Sequence, residues 1–99
     1  MQFTIIARDD TTEGTLQRRL AIRETHMQQI HAMKAAGTII DGGALLNEKG
    51  EMAGSIILCE FPDKEALQNY LNDEIYYREK VWKDIEILPF RRVQWHPIK

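Results

Sequence analysis

The sequence predicts an α+β fold in which four strands and two helices follow one another in the order βαββαβ. Three observations predict it. The chain has 99 residues, which is enough for one small hydrophobic core. Several short stretches indicate strands, and two longer stretches with helical spacing lie between them. A chain of this length has no room for two cores, so we expect residues 1–99 to form a single domain in which helices cover one face of the sheet.

The first strand and the first helix follow directly from the residue pattern. Apolar side chains alternate along residues 2–8, and the polar segment 9–14 then interrupts the strand. From Thr15 to about Ala36 the chain contains neither Gly nor Pro, so we expect a long helix that Thr15 caps and Gly37 ends. The helix residues expected to face the sheet are Leu16, Leu20, Ile22, Met27, Ile30 and Met33.

The next two strands are predicted to form a hairpin. Residues 38–46 are strand-like but contain Gly42 and Gly43, which indicate a bulge or a close approach of another backbone. Residues 47–50 are typical of a turn. Residues 55–61 are apolar on both faces, which predicts a strand in the interior of the sheet.

The last third of the chain predicts a second helix and a fourth strand. Pro62 suits the first turn of a helix that ends near Asp73. Its apolar stripe consists of Ala66, Leu67, Tyr70 and Leu71. Residues 75–82 indicate a short helical turn, and residues 84–93 alternate as a strand in which Pro89 favours an edge position.

This element order is that of the ferredoxin-like fold, an antiparallel sheet with both helices on one face. No element of the chain remains to cover the other face of the sheet. We therefore expect a homodimer in which two sheets face each other and enclose a cavity.

The composition excludes several classes of function. The 13 Lys and Arg against 15 Asp and Glu give a net charge of −2 with no basic patch, so we expect no nucleic-acid partner. The longest apolar run, residues 56–59, is far shorter than the roughly 20 residues of a membrane helix, and the first ten residues do not resemble a secretory signal. Cys59 is the only cysteine, which suits a reducing compartment. We expect a cytoplasmic protein without membrane contact.

His26 is the first candidate for chemistry, because it lies four residues from Ile22 and from Ile30 on the helix face expected to contact the sheet. An imidazole titrates near neutrality, so it can serve as a general acid or base. The alternative is a core histidine whose nitrogens a neighbour satisfies. His31 lies about 140° further round the helix, and His96 lies in the C-terminal tail. We therefore expect neither a metal site nor a cofactor.

Three aspartates are candidates for the same site. Asp9, Asp41 and Asp73 each follow or interrupt a regular element. A carboxylate beside His26 would fix the tautomer of the imidazole and stabilise its charged form. The sequence does not decide which aspartate does so.

Arginines and glycines supply the remaining candidates. Arg19 and Arg23 are four residues apart, a spacing that suits an anion, although solvated surface charges are the alternative. The pair Gly42 and Gly43 lacks the pattern of a phosphate-binding loop. Gly43 would instead allow a ligand or a partner backbone to come close.

A longer motif carries a resemblance to a known family. Residues 16–26 read Leu-Gln-Arg-Arg-Leu-Ala-Ile-Arg-Glu-Thr-His, and they follow a first strand that runs into Ala-Arg-Asp. Together with Gly37, Gly43 and the closing strand at residues 85–90, this combination resembles the YciI-like (YCII-related) family over nearly the whole chain. The resemblance implies a ferredoxin-like fold paired into a dimeric α+β barrel, with a histidine and an aspartate in its pocket.

Within that resemblance, His26 matches the family's histidine, Asp9 its aspartate after the first strand and Asp73 the aspartate of its Asp-Pro step. Two positions depart from the pattern. Glu74 stands where that proline is usual, and Ala44 stands where a Gly-Pro step would place its proline. We expect the rim of the pocket to have a different shape at both.

The resemblance and the candidate residues together predict a small enzyme of lyase or isomerase type that uses cofactor-free acid/base chemistry. His26 would be the general acid or base, oriented by a carboxylate such as Asp9, and Arg23 would hold the charge of a small anionic or phenolic substrate. Further candidates for substrate contact are Asp41, Gly43 and Asp73. The family includes relatives that eliminate chloride from a chlorinated hydroxyquinol. The alternative is a non-catalytic module that binds a small ligand or serves as a structural dimer.

Overall fold

The computed structural model describes residues 1–95, so His96 of the predicted tail lies outside the described residues. The elements are β1 (Gln2–Asp9), α1 (Thr15–Ala35), β2 (Ile39–Leu46), β3 (Met52–Glu60), α2 (Lys64–Asp73), α3 (Ile75–Arg78) and β4 (Trp82–Phe90). The predicted order βαββαβ is confirmed. The short helix α3 occupies the segment in which a helical turn was expected.

The four strands form one antiparallel sheet in the order β2-β3-β1-β4. Ile5 of β1 lies opposite Ile57 of β3 and Ile87 of β4. β3 is an interior strand and β4 is an edge strand, as the sequence predicts. The topology is ferredoxin-like, with the helices packed on one face.

The first helix begins differently from the prediction. Its cap is Gly14, whose φ of +90° is a left-handed conformation that glycine adopts without strain. The Thr15 side chain makes no capping hydrogen bond, because its buried hydroxyl donates to the Thr12 carbonyl at 2.9 Å. The prediction that Thr15 caps α1 is therefore wrong.

The row of α1 that faces the sheet is partly polar. Its members lie three or four residues apart and are Thr15, Arg19, Ile22, His26, Ile30 and Met33. Leu20 was expected to face the sheet but is 53% exposed. The predicted apolar face is thus shifted, and two ionisable side chains, Arg19 and His26, occupy positions in the middle of the row.

The second helix has the predicted stripe and a side-chain cap. The Asp63 carboxylate accepts a hydrogen bond of 2.8 Å from the Ala66 N–H, so Pro62 lies just before the cap rather than in the first turn. The buried residues of α2 are Leu67, Tyr70 and Leu71. Glu74 is extended and separates α2 from α3, which turns its side chain into the interior of the protein.

The glycine pair in β2 has two distinct surroundings. The register against β3 shifts between Ile39 and Asp41, before the glycines, whereas Gly42 and Gly43 pair in regular register with Ile57 and Ile56. Of the two predicted alternatives, the structure therefore shows the close approach of another backbone and not a bulge at the glycines. At Gly42 an added Cβ would lie 2.8 Å from the Ile56 carbonyl oxygen, so the two backbones approach too closely for a side chain. Gly43 has no such contact and faces open space.

The sheet face opposite the helices is uncovered within the described chain. Across its centre, Ile6 lies opposite Ile56, and Thr4 lies opposite Leu58 and Leu88. We call this surface the open face. Ile56 is 38% and Leu88 44% exposed, so the open face presents apolar side chains beyond those buried in the core.

None of the helices formed by residues 1–95 combines the length and the apolar character that crossing a bilayer requires.

Candidate functional site

His26 lies at the middle of α1 with its ring buried against aromatic side chains. The ring stacks on Tyr76 of α3, with centroids 3.8 Å apart and an angle of 14° between the planes. The edge of Trp82, the first residue of β4, packs against it at 6.1 Å. Only 6% of His26 is exposed. The sequence prediction that this histidine points towards the sheet is confirmed.

A carboxylate holds one nitrogen of this imidazole. His26 Nδ1 lies 2.6 Å from Glu74 Oε1, and the Tyr70 hydroxyl donates a hydrogen bond of 2.6 Å to Glu74 Oε2. The Tyr76 backbone N–H makes a longer contact with Oε1, at 3.4 Å. Glu74 is completely buried. Both oxygens of this carboxylate are therefore occupied, one by the imidazole and the other by a phenol.

The hydrogen bonds keep the buried carboxylate ionised. Burial acts to raise the pKa of Glu74, but the hydrogen bond and charge of His26 and the hydrogen bond from Tyr70 outweigh it and lower the pKa below its usual value. Burial and the Glu74 charge raise the pKa of the Tyr70 phenol, so Tyr70 keeps its proton. Among residues 1–95 no lysine or arginine pairs with Glu74, so its charge is held by the imidazole of His26 and by hydrogen-bond donors.

Asp9 has a different partner from the one expected. Its carboxylate lies 3.2 Å from Arg19 Nε, and both side chains are almost completely buried. Arg19 Nη2 also donates to the Gly54 carbonyl at 2.6 Å and contacts Ser55 Oγ at 2.7 Å. Burial raises the pKa of Asp9, and the Arg19 charge offsets part of that rise. Asp9 pairs with Arg19. The carboxylate that contacts His26 is therefore Glu74 and not the expected Asp9.

The two buried pairs are connected through one aromatic ring. The Arg19 guanidinium carbon lies over the Tyr76 ring, 4.6 Å from its centre, which is the geometry of a cation–π contact. The His26 imidazole stacks on the same ring. Asp9 therefore belongs to the surroundings of the site through Arg19 and Tyr76, without a hydrogen bond to the imidazole.

A cavity of about 340 Å³ lies between α1 and the strands β2 and β3. His26, Arg19, Arg23 and Tyr76 form its polar wall, with Ser55 of β3 beneath them. Its apolar lining includes Met27, Ile30, Ile39 and Ile57. His26 thereby lines a space large enough for a small organic molecule.

The structure brings together most, though not all, of the predicted site residues. His26, Arg23, Asp41 and Gly43 line the same cavity. The Asp41 carboxylate accepts the Gly42 N–H at 2.8 Å and remains exposed at the rim.

Asp73 lies apart from the cavity wall. It is exposed at the end of α2, where its carbonyl accepts a hydrogen bond of 3.0 Å from Arg78 Nε. The next residue, Glu74, supplies the carboxylate, and the sequence reasoning missed it. The signal available was its position four residues after Tyr70 and two before Tyr76, both of which donate to it. The catalytic and binding roles of these residues stay predictions.

Within residues 1–95 no group of three or more His, Cys, Asp or Glu side chains is arranged to hold a metal ion.

Solved structures and related sequences agree with this fold. The 5-chloro-2-hydroxyhydroquinone dehydrochlorinase TftG of Burkholderia phenoliruptrix AC1100, solved in complex with 2,5-dihydroxybenzoquinone, superposes with a TM-score of 0.80 at 19% identity, covering 94% of this chain and 96% of that one. An uncharacterized protein of Haemophilus influenzae is 27% identical and Protein YciI of Escherichia coli O6:H1 is 25% identical, each over 94% of this chain and 99% of the relative. The sequence model of the YCII-related domain matches residues 1–91. The chain therefore belongs to the YCII-related domain family.

Proposed function

We propose that this protein is an enzyme that acts on a small organic molecule by acid/base chemistry, with His26 as the group that transfers the proton. One observation carries the proposal. The His26 ring is held by Glu74 at 2.6 Å on its Nδ1 side and lines a cavity of about 340 Å³. An imidazole fixed by a buried carboxylate is the arrangement that positions a general base and stabilises its protonated form.

The substrate is a small anionic or phenolic molecule. A cavity of about 340 Å³ is at the lower end of the range for small-molecule sites, which limits the size of the substrate. Arg19 is already balanced by Asp9, whereas Arg23 forms no ion pair among residues 1–95. Arg23 is also close enough to Tyr76 to affect the pKa of its hydroxyl. Its charge is thus available to a substrate anion beside His26.

The dehydrochlorinase neighbour supports the same class of substrate, since its structure contains a dihydroxylated quinone. We extend that class, and not the particular compound, to this chain. We also propose that the working unit is a cytoplasmic homodimer paired through the open face. The support is the apolar character of that face and the single buried thiol of Cys59.

The test is a search for turnover with a His26 variant and a control variant on the same helix. The full chain is incubated with a panel of small phenols, hydroxyquinones, lactones and carboxylic acids, and products are followed by NMR. In His26→Gln we expect the turnover of any substrate found to fall about 100-fold or more, the usual contribution of general acid/base catalysis.

The control is Glu24→Gln. Glu24 is exposed on the same helix and does not line the cavity. Its replacement should therefore change turnover only slightly. Equal turnover in the wild type and His26→Gln would contradict the proposal. Binding without turnover in every protein would favour the non-catalytic ligand-binding module.

A further inference from the structure

A buried chain of hydrogen bonds runs from α2 through Glu74 to the imidazole of α1. Tyr70 and Glu74 are four residues apart, and the Tyr70 hydroxyl reaches Glu74 Oε2 at 2.6 Å. Oε1 of the same carboxylate lies 2.6 Å from His26 Nδ1. Tyr70 is 9% exposed, His26 6% and Glu74 0%. Water is therefore largely excluded from all three groups.

The donors in this chain determine where the protons lie. A phenol with a raised pKa keeps its proton and donates it to Oε2. The Tyr76 N–H points at Oε1. An ionised carboxylate has no hydrogen to donate, so the short contact with His26 requires the hydrogen to be on Nδ1. In the neutral imidazole the other nitrogen, Nε2, then carries the lone pair.

We propose that Tyr70 is a positioning residue that sets the tautomer of His26 through Glu74. The inference rests on the proposed function, because the tautomer matters only where Nε2 accepts a proton from the substrate. Tyr70 itself does not line the cavity, and it neither stacks on the imidazole ring nor is hydrogen-bonded to it. Its influence passes through the carboxylate.

Removal of the Tyr70 hydroxyl should change which imidazole nitrogen of His26 carries the hydrogen. In the described part of the chain no lysine or arginine is bonded to Glu74, so without the Tyr70 hydroxyl its Oε2 would be buried with no donor. A buried carboxylate that loses a donor favours its neutral, protonated form. Glu74 would then take up one proton from the solvent and donate its O–H to Nδ1, and the hydrogen of the imidazole would move to Nε2. The nitrogen available to the substrate would no longer be a base.

The variant Tyr70→Phe separates this role from packing. The Tyr70 ring packs against Phe61 with centroids 5.7 Å apart, and phenylalanine keeps that ring contact. The matched control is Tyr77→Phe, which removes a hydroxyl from a side chain that is 46% exposed and not bonded to Glu74. Circular dichroism and the dispersion of amide resonances report whether each variant is folded.

The measurement is the pair of imidazole ¹⁵N chemical shifts of His26 in the labelled full chain, at a pH where the ring is neutral. In the wild type and in Tyr77→Phe we expect Nδ1 in the N–H range and Nε2 in the lone-pair range. In Tyr70→Phe the Nε2 resonance should move towards the N–H range. Unchanged shifts in a folded Tyr70→Phe would overturn the proposal. So would an Nε2–H tautomer in the wild type, which needs no variant to fold.

Turnover separates the failure of this inference from the failure of the proposed function. If the tautomer responds to Tyr70→Phe but His26→Gln retains full turnover, the proposed function fails and the positioning role of Tyr70 in catalysis fails with it. If His26→Gln abolishes turnover but the tautomer ignores Tyr70→Phe, only the inference fails. When the proposed function and the positioning role of Tyr70 are both correct, Tyr70→Phe lowers kcat with little change in KM, because no substrate contact is lost.

Discussion

At the scale of single residues, Glu74 decides how His26 is held. It is a fully buried carboxylate with two short hydrogen bonds, and it lies at the extended residue between two helices. A side chain in the interior of either helix would be fixed to that helix's own face. Because Glu74 is extended and interrupts the helical backbone, its side chain can face α1. Its carboxylate still caps α3 by accepting a hydrogen bond from the Tyr76 N–H.

Replacement of Glu74 by glutamine tests the pKa of this carboxylate. Glu74→Gln should lower the free energy of unfolding at pH 7 by about 1–3 kcal/mol, since the amide cannot accept from both His26 and Tyr70 equally well. The folded pKa of Glu74 lies below its unfolded value, so the stabilisation is complete above the unfolded pKa and is lost as the pH falls through the folded pKa.

The gap in stability between the wild type and Glu74→Gln should therefore narrow below about pH 4.3. Urea unfolding at pH 7 and at pH 3 measures it. Glu79→Gln, an exposed glutamate near the end of α3, serves as the control and should change stability little at either pH. A constant gap would contradict the assignment of an ionised Glu74.

The Asp9–Arg19 pair predicts a loss of stability. Asp9→Asn preserves the shape of the side chain and leaves the Arg19 guanidinium buried without a countercharge. We expect a decrease of about 3 kcal/mol in the free energy of unfolding, as for a buried pair that loses one partner.

The comparison is the exposed pair formed by Arg8 and Glu86, whose side chains are 54% exposed and 3.1 Å apart. Glu86→Gln should change stability by less than about 1 kcal/mol. Urea unfolding at neutral pH measures both variants. Equal losses of stability in Asp9→Asn and Glu86→Gln would mean that the buried ion pair contributes no more to stability than the exposed one.

At the scale of elements, the sequence predicts α1 as a helix but not the whole of its buried face. The absence of Gly and Pro fixes its extent, and the spacing from Ile22 and Ile30 correctly places His26 on the inner row. Arg19 is buried in the same row because Asp9 supplies its countercharge and the β3 backbone accepts a hydrogen bond from its Nη2. Those partners are distant in sequence, so a search for apolar positions cannot find them.

The same limit explains Glu74. It is separated from His26 by 48 residues, and its contact arises only when α2 and α3 pack beside α1. Locally, Asp73-Glu74 is typical of the polar end of a helix. The fold was predictable because its signals are local, whereas the carboxylate of the site depends on packing between elements.

The two adjacent glycines of β2 should respond differently to the same substitution by alanine. Gly42→Ala places a Cβ against the Ile56 carbonyl oxygen, a backbone atom that cannot move without disturbing the β2–β3 ladder. We expect a loss of about 1–3 kcal/mol in the free energy of unfolding. In Gly43→Ala the new Cβ meets nothing within 4 Å, so stability should stay within about 0.5 kcal/mol of the wild type. Similar losses in both variants would contradict the distinction.

At the scale of the whole molecule, the two faces of the sheet differ. One face carries the helices and the core, and the open face carries Ile6, Ile56 and Leu88 without any covering element in the described chain. A small domain gains stability when such a surface is buried, and a second copy presents an identical sheet to it. Pairing of two open faces is therefore the assembly that we propose.

The last prediction concerns this assembly. Ile56 belongs to an interior strand, lies opposite Ile6 and is 38% exposed on the open face. Ile56→Lys would bury an unpaired ammonium between two sheets, which costs far more than an exposed lysine does. Size-exclusion chromatography with light scattering should give twice the mass of one chain for the wild type and the mass of one chain for Ile56→Lys. The control is Leu20→Lys on the solvent side of α1, where the leucine is 53% exposed, and this variant should remain dimeric. A monomeric wild type would exclude the homodimer, and a dimeric, folded Ile56→Lys would place the contact on another surface.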